Sequence, residues 1–474
     1  MKRSRMVFTG CLSVLVIAMV LLNGCTLAPK YTRPAAPMPA DWPTGEAYGK
    51  EAAAPGNRAA AEMKWEEFFT DPELRQVIAA ALANNRDLRL ASLNVEKARA
   101  LYGIQRAELF PAFNAVGAGS KGRTPADLSY SGTETTYEQY SVNFGVMAWE
   151  IDFFGRIRSL KDRALEEYLA TDQARRGAQI LLVSAVANAY LNLAADRESL
   201  KLTTSTLAAQ EGAYKLIKKR YDVGLASEID LRRAQSQADT ARGDVARFTQ
   251  LVAQDENALQ LLVGAPLTVL KLPSELGGLN PFRDISPGLS SEVLLSRPDI
   301  LAAEHRLRAA NASIGAARAA FFPRISLTTS FGTASADLSG LFKDGSSTWN
   351  FAPQIIMPIF DARLWSAYDA TKVEKEISLT QYERAIQTAF RETADALAVR
   401  GTVNRQLAAQ KSLVEAFAET YRLSNIRYAK GVDSYLSVLD AQRSLYGAQK
   451  GLIGIQLLRL ANEVALYKAL GGGA

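Results

Sequence analysis

The sequence predicts a mainly α-helical fold of two repeats, whose long antiparallel helices form a trimeric α-barrel continuous with a twelve-stranded transmembrane β-barrel. Three features of the chain lead to this prediction. One motif is written twice, two helical stretches are far longer than a compact domain needs, and four stretches alternate apolar with polar or small residues. Each chain would contribute four of the barrel strands.

The repeated motif occupies residues 220–235 and again residues 427–442. Each copy has Arg-Tyr, a glycine three residues after the tyrosine, a serine three residues after the glycine, and Ala-Gln. Glycine can end a helix in the left-handed conformation, and a serine side chain can cap the next helix. We therefore expect two helical hairpins, with their tips at 224–227 and 431–434.

The repeats divide the chain into segments that follow one another in the same order twice. Each repeat has a helix, two strands, a long helix, a tip and a returning helix. The predicted boundaries are 1–24 for a signal peptide, 25–70 for an extended segment, 71–264 for the first repeat, 265–297 for an irregular connecting (equatorial) segment, and 298–474 for the second repeat. The predicted strands are 112–122, 135–153, 325–333 and 350–360. The proline-free stretches 156–223 and 362–429 would each form a helix roughly 100 Å long.

The four alternating stretches are typical of strands between lipid and a watery lumen. Tyr140, Val142 and Phe144 fall on one face, while small and polar residues fall on the other. A soluble sheet with one wet face has the same period. Four strands cannot close a barrel, and an open edge cannot face lipid because its backbone groups would lack partners. A homotrimer would supply twelve strands, an even number found in outer-membrane barrels.

The N-terminus is typical of a bacterial export signal, with a basic start and an apolar run that ends in Leu-Asn-Gly-Cys25. This ending resembles the lipobox of bacterial lipoproteins, in which the cysteine becomes the acylated first residue and can carry palmitate. Thr26, in place of an aspartate, implies sorting to the outer membrane. The alternative is a plain signal that ends by chance at a cysteine.

The composition argues against nucleic-acid binding and against catalysis. Lys and Arg total 55 against 49 Asp and Glu, an excess too weak to indicate a nucleic-acid partner. The chain has two cysteines, one histidine (His305) and no glycine-rich phosphate loop. We therefore predict no catalytic residues, no metal site, no cofactor and no enzyme activity.

The duplicated order, the two Arg-Tyr-x-x-Gly tips, the Phe-Pro ends at Pro111 and Pro323 and the lipobox together resemble the TolC-like outer-membrane efflux proteins. Within that family the chain is most similar to OprM-type lipoproteins that serve resistance–nodulation–division drug pumps. The resemblance implies a passive trimeric exit duct for drugs and other small toxic compounds. Such a duct is lipid-anchored, spans the outer membrane and extends into the periplasm. It is closed at its periplasmic end and opens on docking with a periplasmic adaptor (membrane fusion) protein and an inner-membrane transporter.

The resemblance also implies a periplasmic gate. Asp230 and Asp440 match positions whose carboxylates ring the constriction, where they would narrow the passage and favour cations. For Asp230 the alternative is a capping box with Ser227. For Asp440 the alternative is an exposed pair with Arg443, three residues later.

The predicted lock at the second tip departs from the TolC pattern. Tyr428 matches the locking tyrosine of TolC. Ser437 stands where the counterpart of Asp230 would be, and Asp433 stands where TolC carries an arginine. We therefore expect a rewired lock around Tyr428, Asp440 and Arg443.

The tips themselves match the adaptor-docking site of the family, although turn chemistry alone also requires their glycines. The predicted docking residues are Gly224, Leu225, Ser227, Gly431, Val432 and Ser434.

Two other functions remain open at this stage. A channel of the same family could export metal ions or serve type I protein secretion. A periplasmic coiled-coil scaffold without a pore would share the long helices, but it has no use for four strands that each carry an apolar face.

Overall fold

The computed structural model describes residues 26–48, 63–286 and 290–473. In these ranges the chain forms eight α-helices and one sheet of four strands. The helices are α1 (Trp65–Phe68), α2 (Pro72–Asn84), α3 (Arg86–Ala107), α4 (Arg156–Asp222), α5 (Glu228–Val263), α6 (Pro298–Ala319), α7 (Ala362–Ala429) and α8 (Tyr435–Ala469). The strands are β1 (Phe113–Thr124), β2 (Thr135–Glu150), β3 (Arg324–Ser335) and β4 (Ser347–Ile356). The predicted mainly helical fold with four strands is confirmed.

The residues fall into two compact units. The first holds the described residues within 1–34, 94–171 and 303–382, and it contains the sheet. The second holds those within 35–93, 172–302 and 383–474, and it contains both tips.

The sheet of the first unit is antiparallel throughout, in the order β1-β2-β3-β4. Phe144 of β2 lies opposite Phe331 of β3, which in turn lies opposite Trp349 of β4. These three side chains are 58%, 68% and 76% exposed. Within the described sheet β1 pairs only with β2, and β4 only with β3. One chain therefore presents an exposed aromatic row and two unpaired strand edges.

Two strands end earlier than the sequence analysis placed them. β4 ends at Ile356 rather than at 360, two residues before Pro358, which has no N–H to donate. β2 ends at Glu150 rather than at 153. Beyond it, the Asp152 carboxylate already accepts a hydrogen bond of 2.9 Å from the backbone N–H of Arg158 in the first turn of α4.

In the first repeat, Asp71-Pro72 as a start signal and Pro111 as a stop predict a helical stretch from residue 71 to residue 110, and this stretch is interrupted. Asp71 caps the start of α2, as its sequence predicts, by accepting hydrogen bonds from the N–H groups of Glu73 and Leu74. Asn85 then adopts an extended conformation with ψ of 131° and separates α2 from α3. Its side chain accepts from Leu88 N–H at 2.9 Å and donates to Leu262 O at 2.8 Å. The predicted stretch is helical on both sides of this break, where the buried amide satisfies backbone groups of two chain segments.

The core of the second unit is built on stacked aromatic rings. Phe68 lies flat against Tyr467, with ring centroids 4.0 Å apart, and Phe69 meets Phe282 edge to face. The hydroxyl of Tyr467 donates to Met63 O at 2.6 Å. Phe68 and Phe69 belong to the buried core, and Trp65 packs against it.

The segment before α1 has no helix or strand in residues 26–48. In the first unit, Tyr31 and Arg33 donate hydrogen bonds to the buried Glu304 of α6. In the second unit, Trp42 stacks on Phe390 with ring centroids 5.5 Å apart. Side chains thus hold this extended segment in place. In its described residues, the connecting segment between α5 and α6 carries short 3₁₀ helices at Leu267–Val269, Leu276–Gly278 and Ser291–Ser296.

Candidate functional site

The two tips share one backbone conformation. Gly224 has φ of 77° and Gly431 has φ of 74°. Leu225 N–H donates to Arg220 O at 2.7 Å, and Val432 N–H donates to Arg427 O at 3.0 Å. Each tip also has a hydrogen bond from the glycine N–H to the carbonyl of the preceding tyrosine, at 2.9 Å. Both helices therefore end in a Schellman motif, which only a residue that tolerates positive φ can complete.

The caps of the returning helices differ. The Ser227 hydroxyl accepts from Asp230 N–H at 3.1 Å and donates to the Asp230 carboxylate at 2.7 Å. Ser434 stands at the start of α8 but makes no side-chain capping bond. The predicted serine cap is thus correct for the first tip and wrong for the second. The second tip has Ser437 in place of Asp230, so no carboxylate holds the Ser434 hydroxyl in position.

The two predicted gate carboxylates lie in local contacts. Asp230 is half-buried and bound to Ser227. Asp440 accepts from Arg443 at 3.0 Å, and both side chains are exposed. Among the described residues neither carboxylate bonds to the other tip. Within one chain, Asp230 therefore makes the capping contact and Asp440 the exposed ion pair that the sequence analysis gives as alternatives to a gate.

One side-chain hydrogen bond joins the two tips. Arg220, at the end of the first long helix, donates to the Tyr428 hydroxyl, and its guanidinium carbon lies 5.3 Å from the centre of that ring. The Tyr428 ring in turn lies 5.3 Å from the ring of Tyr435. Sequence reasoning singled out Tyr428 but missed Arg220 as its partner.

The equivalent arginine of the second tip behaves differently. Arg427 pairs with Asp433 inside its own tip, with an Nε to carboxylate distance of 2.5 Å. The hydrogen bond from Arg427 holds the pKa of Asp433 below its ordinary value. Asp433 has no acidic counterpart in the first tip, where Ala226 stands at that position. This substitution is the sequence signal that could have identified Arg220, because Arg220 lacks the local partner that Arg427 has.

A small apolar cluster packs the tips together beneath these polar contacts. Its buried members come from both repeats: Ile217, Ala234, Tyr435, Val438 and Leu439. Burial, together with the neighbouring Tyr421 and Tyr428, raises the pKa of Tyr435 to about 12. The hydroxyl therefore stays neutral at physiological pH, as a buried group must.

The ends of the tips are exposed and partly apolar. All six predicted docking residues are exposed. Leu225 is 74% and Val432 is 60% exposed, and the neighbouring Val223 and Ile229, which sequence reasoning did not name, are 69% and 63% exposed. Each tip thus exposes apolar side chains, and exposed apolar surface of this kind can mark an interaction site.

Two remaining predictions concern residues away from the tips. In the described part of the chain, no group of three or more His, Cys, Asp or Glu side chains could hold a metal ion. His305 binds Glu166 through Nδ1 at 2.6 Å, an interhelical contact. The predicted lipidation site, Cys25, lies outside the described residues.

Comparisons with known proteins agree on one family. The Outer membrane efflux protein family matches residues 77–265 and 289–472, one stretch in each repeat. The chain is 49% identical over 467 residues to the toluene efflux pump outer membrane protein TtgC and to the antibiotic efflux pump outer membrane protein ArpC, both of Pseudomonas putida. Each alignment covers 98% of this chain and 96% of the relative. The open state of the Neisseria gonorrhoeae MtrE outer membrane channel is similar with a TM-score of 0.84 and 36% identity, covering 95% of this chain and 98% of that one.

Proposed function

Since the chain belongs to the outer membrane efflux protein family, we propose that it is the passive, trimeric exit duct of a tripartite efflux pump for antibiotics and small organic compounds such as toluene. It carries out no chemical reaction, and the inner-membrane transporter supplies the energy. The named cargoes of TtgC and ArpC, toluene and antibiotics, support this range of compounds.

The main support for the proposal comes from the sheet of the first unit. Two unpaired edges and an exposed aromatic row are costly for a chain that stays alone in water. Both features are satisfied when three copies share a twelve-stranded barrel, since β1 of one copy can then pair with β4 of the next and the aromatic row can face lipid. Lipidation at Cys25 would add a second attachment to the same membrane.

The exposed tips support docking of a periplasmic adaptor that connects the duct to a resistance–nodulation–division transporter. Their apolar side chains, Leu225 and Val432 among them, are exposed in the single chain. The two Schellman motifs share one backbone conformation, so the same shape would be present twice per chain and six times around a trimer.

The gate of this duct lies where the tips meet. Arg220 and Tyr428 hold the two hairpins of one chain together. Asp230 and Asp440 would form acidic rings when three chains surround one axis, and such rings narrow the passage and favour cations. Loss of both carboxylates would therefore widen the closed mouth.

Planar bilayer recordings test both the channel and its gate. We expect purified protein to be trimeric by native mass spectrometry, and the wild type to conduct weakly. The Asp230→Ala/Asp440→Ala double variant should conduct several-fold more. Monomeric protein, or no conductance in the double variant, would overturn the channel proposal. A wild type that already conducts as freely as the double variant would overturn the acidic gate alone.

A further inference from the structure

Two aspartates meet between the long helix and the returning helix of the first hairpin. Asp196 lies on α4 and Asp255 on α5, and both side chains are half-buried. One carboxyl group lies within hydrogen-bonding reach of the other. The next residues along the two helices, Arg197 and Glu256, also bond, with a guanidinium to carboxylate distance of 2.6 Å. The two helices are therefore in direct contact around this pair.

One oxygen of the pair has no donor in the described part of the chain. The Oδ2 atom of Asp255 is fully buried and accepts no hydrogen bond from an N–H or O–H group there. A buried carboxylate oxygen without a donor is costly, and a second carboxylate beside it adds like-charge repulsion. A single proton on one of the two carboxyl groups removes both costs, because the protonated group can donate to the other.

The neighbouring arginines do not take the place of this proton. Arg247 of α5 is the cation whose charge acts on Asp196, but its own ion pair is with Asp244, at 3.9 Å. Arg197 is bound by Glu256. In the part of the chain that the structure describes, neither arginine donates a hydrogen bond to the aspartate pair. The contact between the two carboxyl groups therefore depends on their own protonation.

The acidities of the two groups agree with a shared proton. Burial raises the pKa of Asp196, and burial together with the charge of Asp196 raises the pKa of Asp255 from 3.8 to about 6. The pair as a unit thus keeps one proton in mildly acidic solution and loses it towards neutral pH. The stability that this proton provides is fully present below the ordinary pKa of 3.8, and it is lost as the pH rises through about 6.

We propose that Asp196 and Asp255 form a pH switch between α4 and α5. With one proton between them, the two carboxyl groups join the helices of the first hairpin. Without it, two carboxylates repel each other across the same contact, and the packing of the hairpin loosens. The switch goes beyond the exit duct function and does not depend on it.

Hydrogen exchange of the full-length protein in detergent, at pH 5 and at pH 7.5, tests the switch. Protection factors, which correct for the intrinsic effect of pH on exchange, are compared for peptides that cover residues 192–200 and 251–259. We expect about tenfold higher protection at pH 5, because pH 5 lies one unit below the raised pKa of Asp255. Asp255→Asn should keep the higher protection at both pH values, because an amide N–H can donate to Asp196 without a bound proton.

Asp239→Asn is the matched control for these measurements. Asp239 is an exposed aspartate of the same helix that pairs with Arg242 at 2.6 Å, and its loss should leave the pH effect unchanged. Asp196→Asn should abolish the pH effect as Asp255→Asn does, so it decides the question if thermal melts show that Asp255→Asn does not fold. Equal protection of the wild type at both pH values would overturn the switch. A tenfold pH effect that persists in either folded variant of the pair would overturn it as well.

Discussion

The two tips have the same backbone and different side-chain contacts. Both end a long helix with a left-handed glycine and the same pair of hydrogen bonds. The first tip then uses Ser227 and Asp230 as a local cap, whereas the second has no serine cap and uses an Arg427–Asp433 ion pair. The two copies of the motif thus share the residues that the turn requires, and they differ in the side chains that form hydrogen bonds and ion pairs.

The difference explains why only one arginine joins the two tips. Arg427 is held by Asp433 within its own hairpin. The first tip has Ala226 at the position of Asp433, and Arg220 bonds instead to Tyr428 of the other hairpin. The proposed lock is therefore asymmetric, with the arginine from the first repeat and the tyrosine from the second.

The largest expected effect of this asymmetry is on channel opening. Arg220→Gln removes a charge-assisted hydrogen bond between the hairpins, whereas the matched variant Arg427→Gln removes only a contact within one hairpin. A bond of this type contributes about 1.4 kcal/mol, equivalent to about tenfold in an equilibrium constant. We expect about tenfold higher open probability in bilayers for Arg220→Gln and little change for Arg427→Gln. Equal effects of the two variants would remove the asymmetry from the gate.

The next largest effect is on the free energy of unfolding, and it compares Ser227 with Ser434 as N-cap residues. Ser227→Ala should lower the free energy of unfolding by about 1 kcal/mol, because it deletes an N-cap acceptor. Ser434→Ala should change it by only a few tenths of a kcal/mol, since that side chain caps nothing. Denaturant unfolding of both variants measures the difference. A loss at Ser434 as large as that at Ser227 would show that the second serine caps its helix in solution.

The smallest effect is on the pH dependence of the second tip. The pKa of Asp433 lies below its ordinary value of 3.8 because Arg427 favours the carboxylate. The stability that the Arg427–Asp433 pair contributes is therefore fully present above the ordinary pKa of 3.8, and it is lost as the pH falls through the lowered pKa. We expect amide protection at residues 430–434 to fall as the pH is lowered below 3.8 and through the lowered pKa of Asp433. Asp433→Asn should already show the lower protection at neutral pH. Unchanged protection on acidification of the wild type would contradict the pairing.

Much of the fold follows from sequence because short-range chemistry determines it. The glycines of both tips sit at helix ends, and α7 spans residues 362–429, the same range as the proline-free stretch. The break at Asn85 was missed because its cause is a distant carbonyl, that of Leu262. Local patterning cannot reveal such a partner.

The candidate site was less predictable than the fold for the same reason. Asp230 and Asp440 were located by resemblance, and their contacts in one chain are the local ones that spacing alone allowed. Arg220 is part of the repeated motif, but its partner, Tyr428, lies in the other repeat. Which of the two equivalent arginines crosses between the tips depends on Asp433, which stands where the first tip has Ala226. The sequence shows that difference, but it does not show that Arg220 reaches Tyr428.

A double-mutant cycle between Arg220→Gln and Tyr428→Phe, read as open probability in planar bilayers, tests the proposed lock most directly. If the two side chains hold the tips closed together, each single variant should open the channel about as much as the double variant, with a coupling of about 1.4 kcal/mol. Tyr221→Phe, the equivalent change in the first tip, should show no coupling to Arg220→Gln. Independent, additive effects of Arg220 and Tyr428 would contradict the lock across the two repeats.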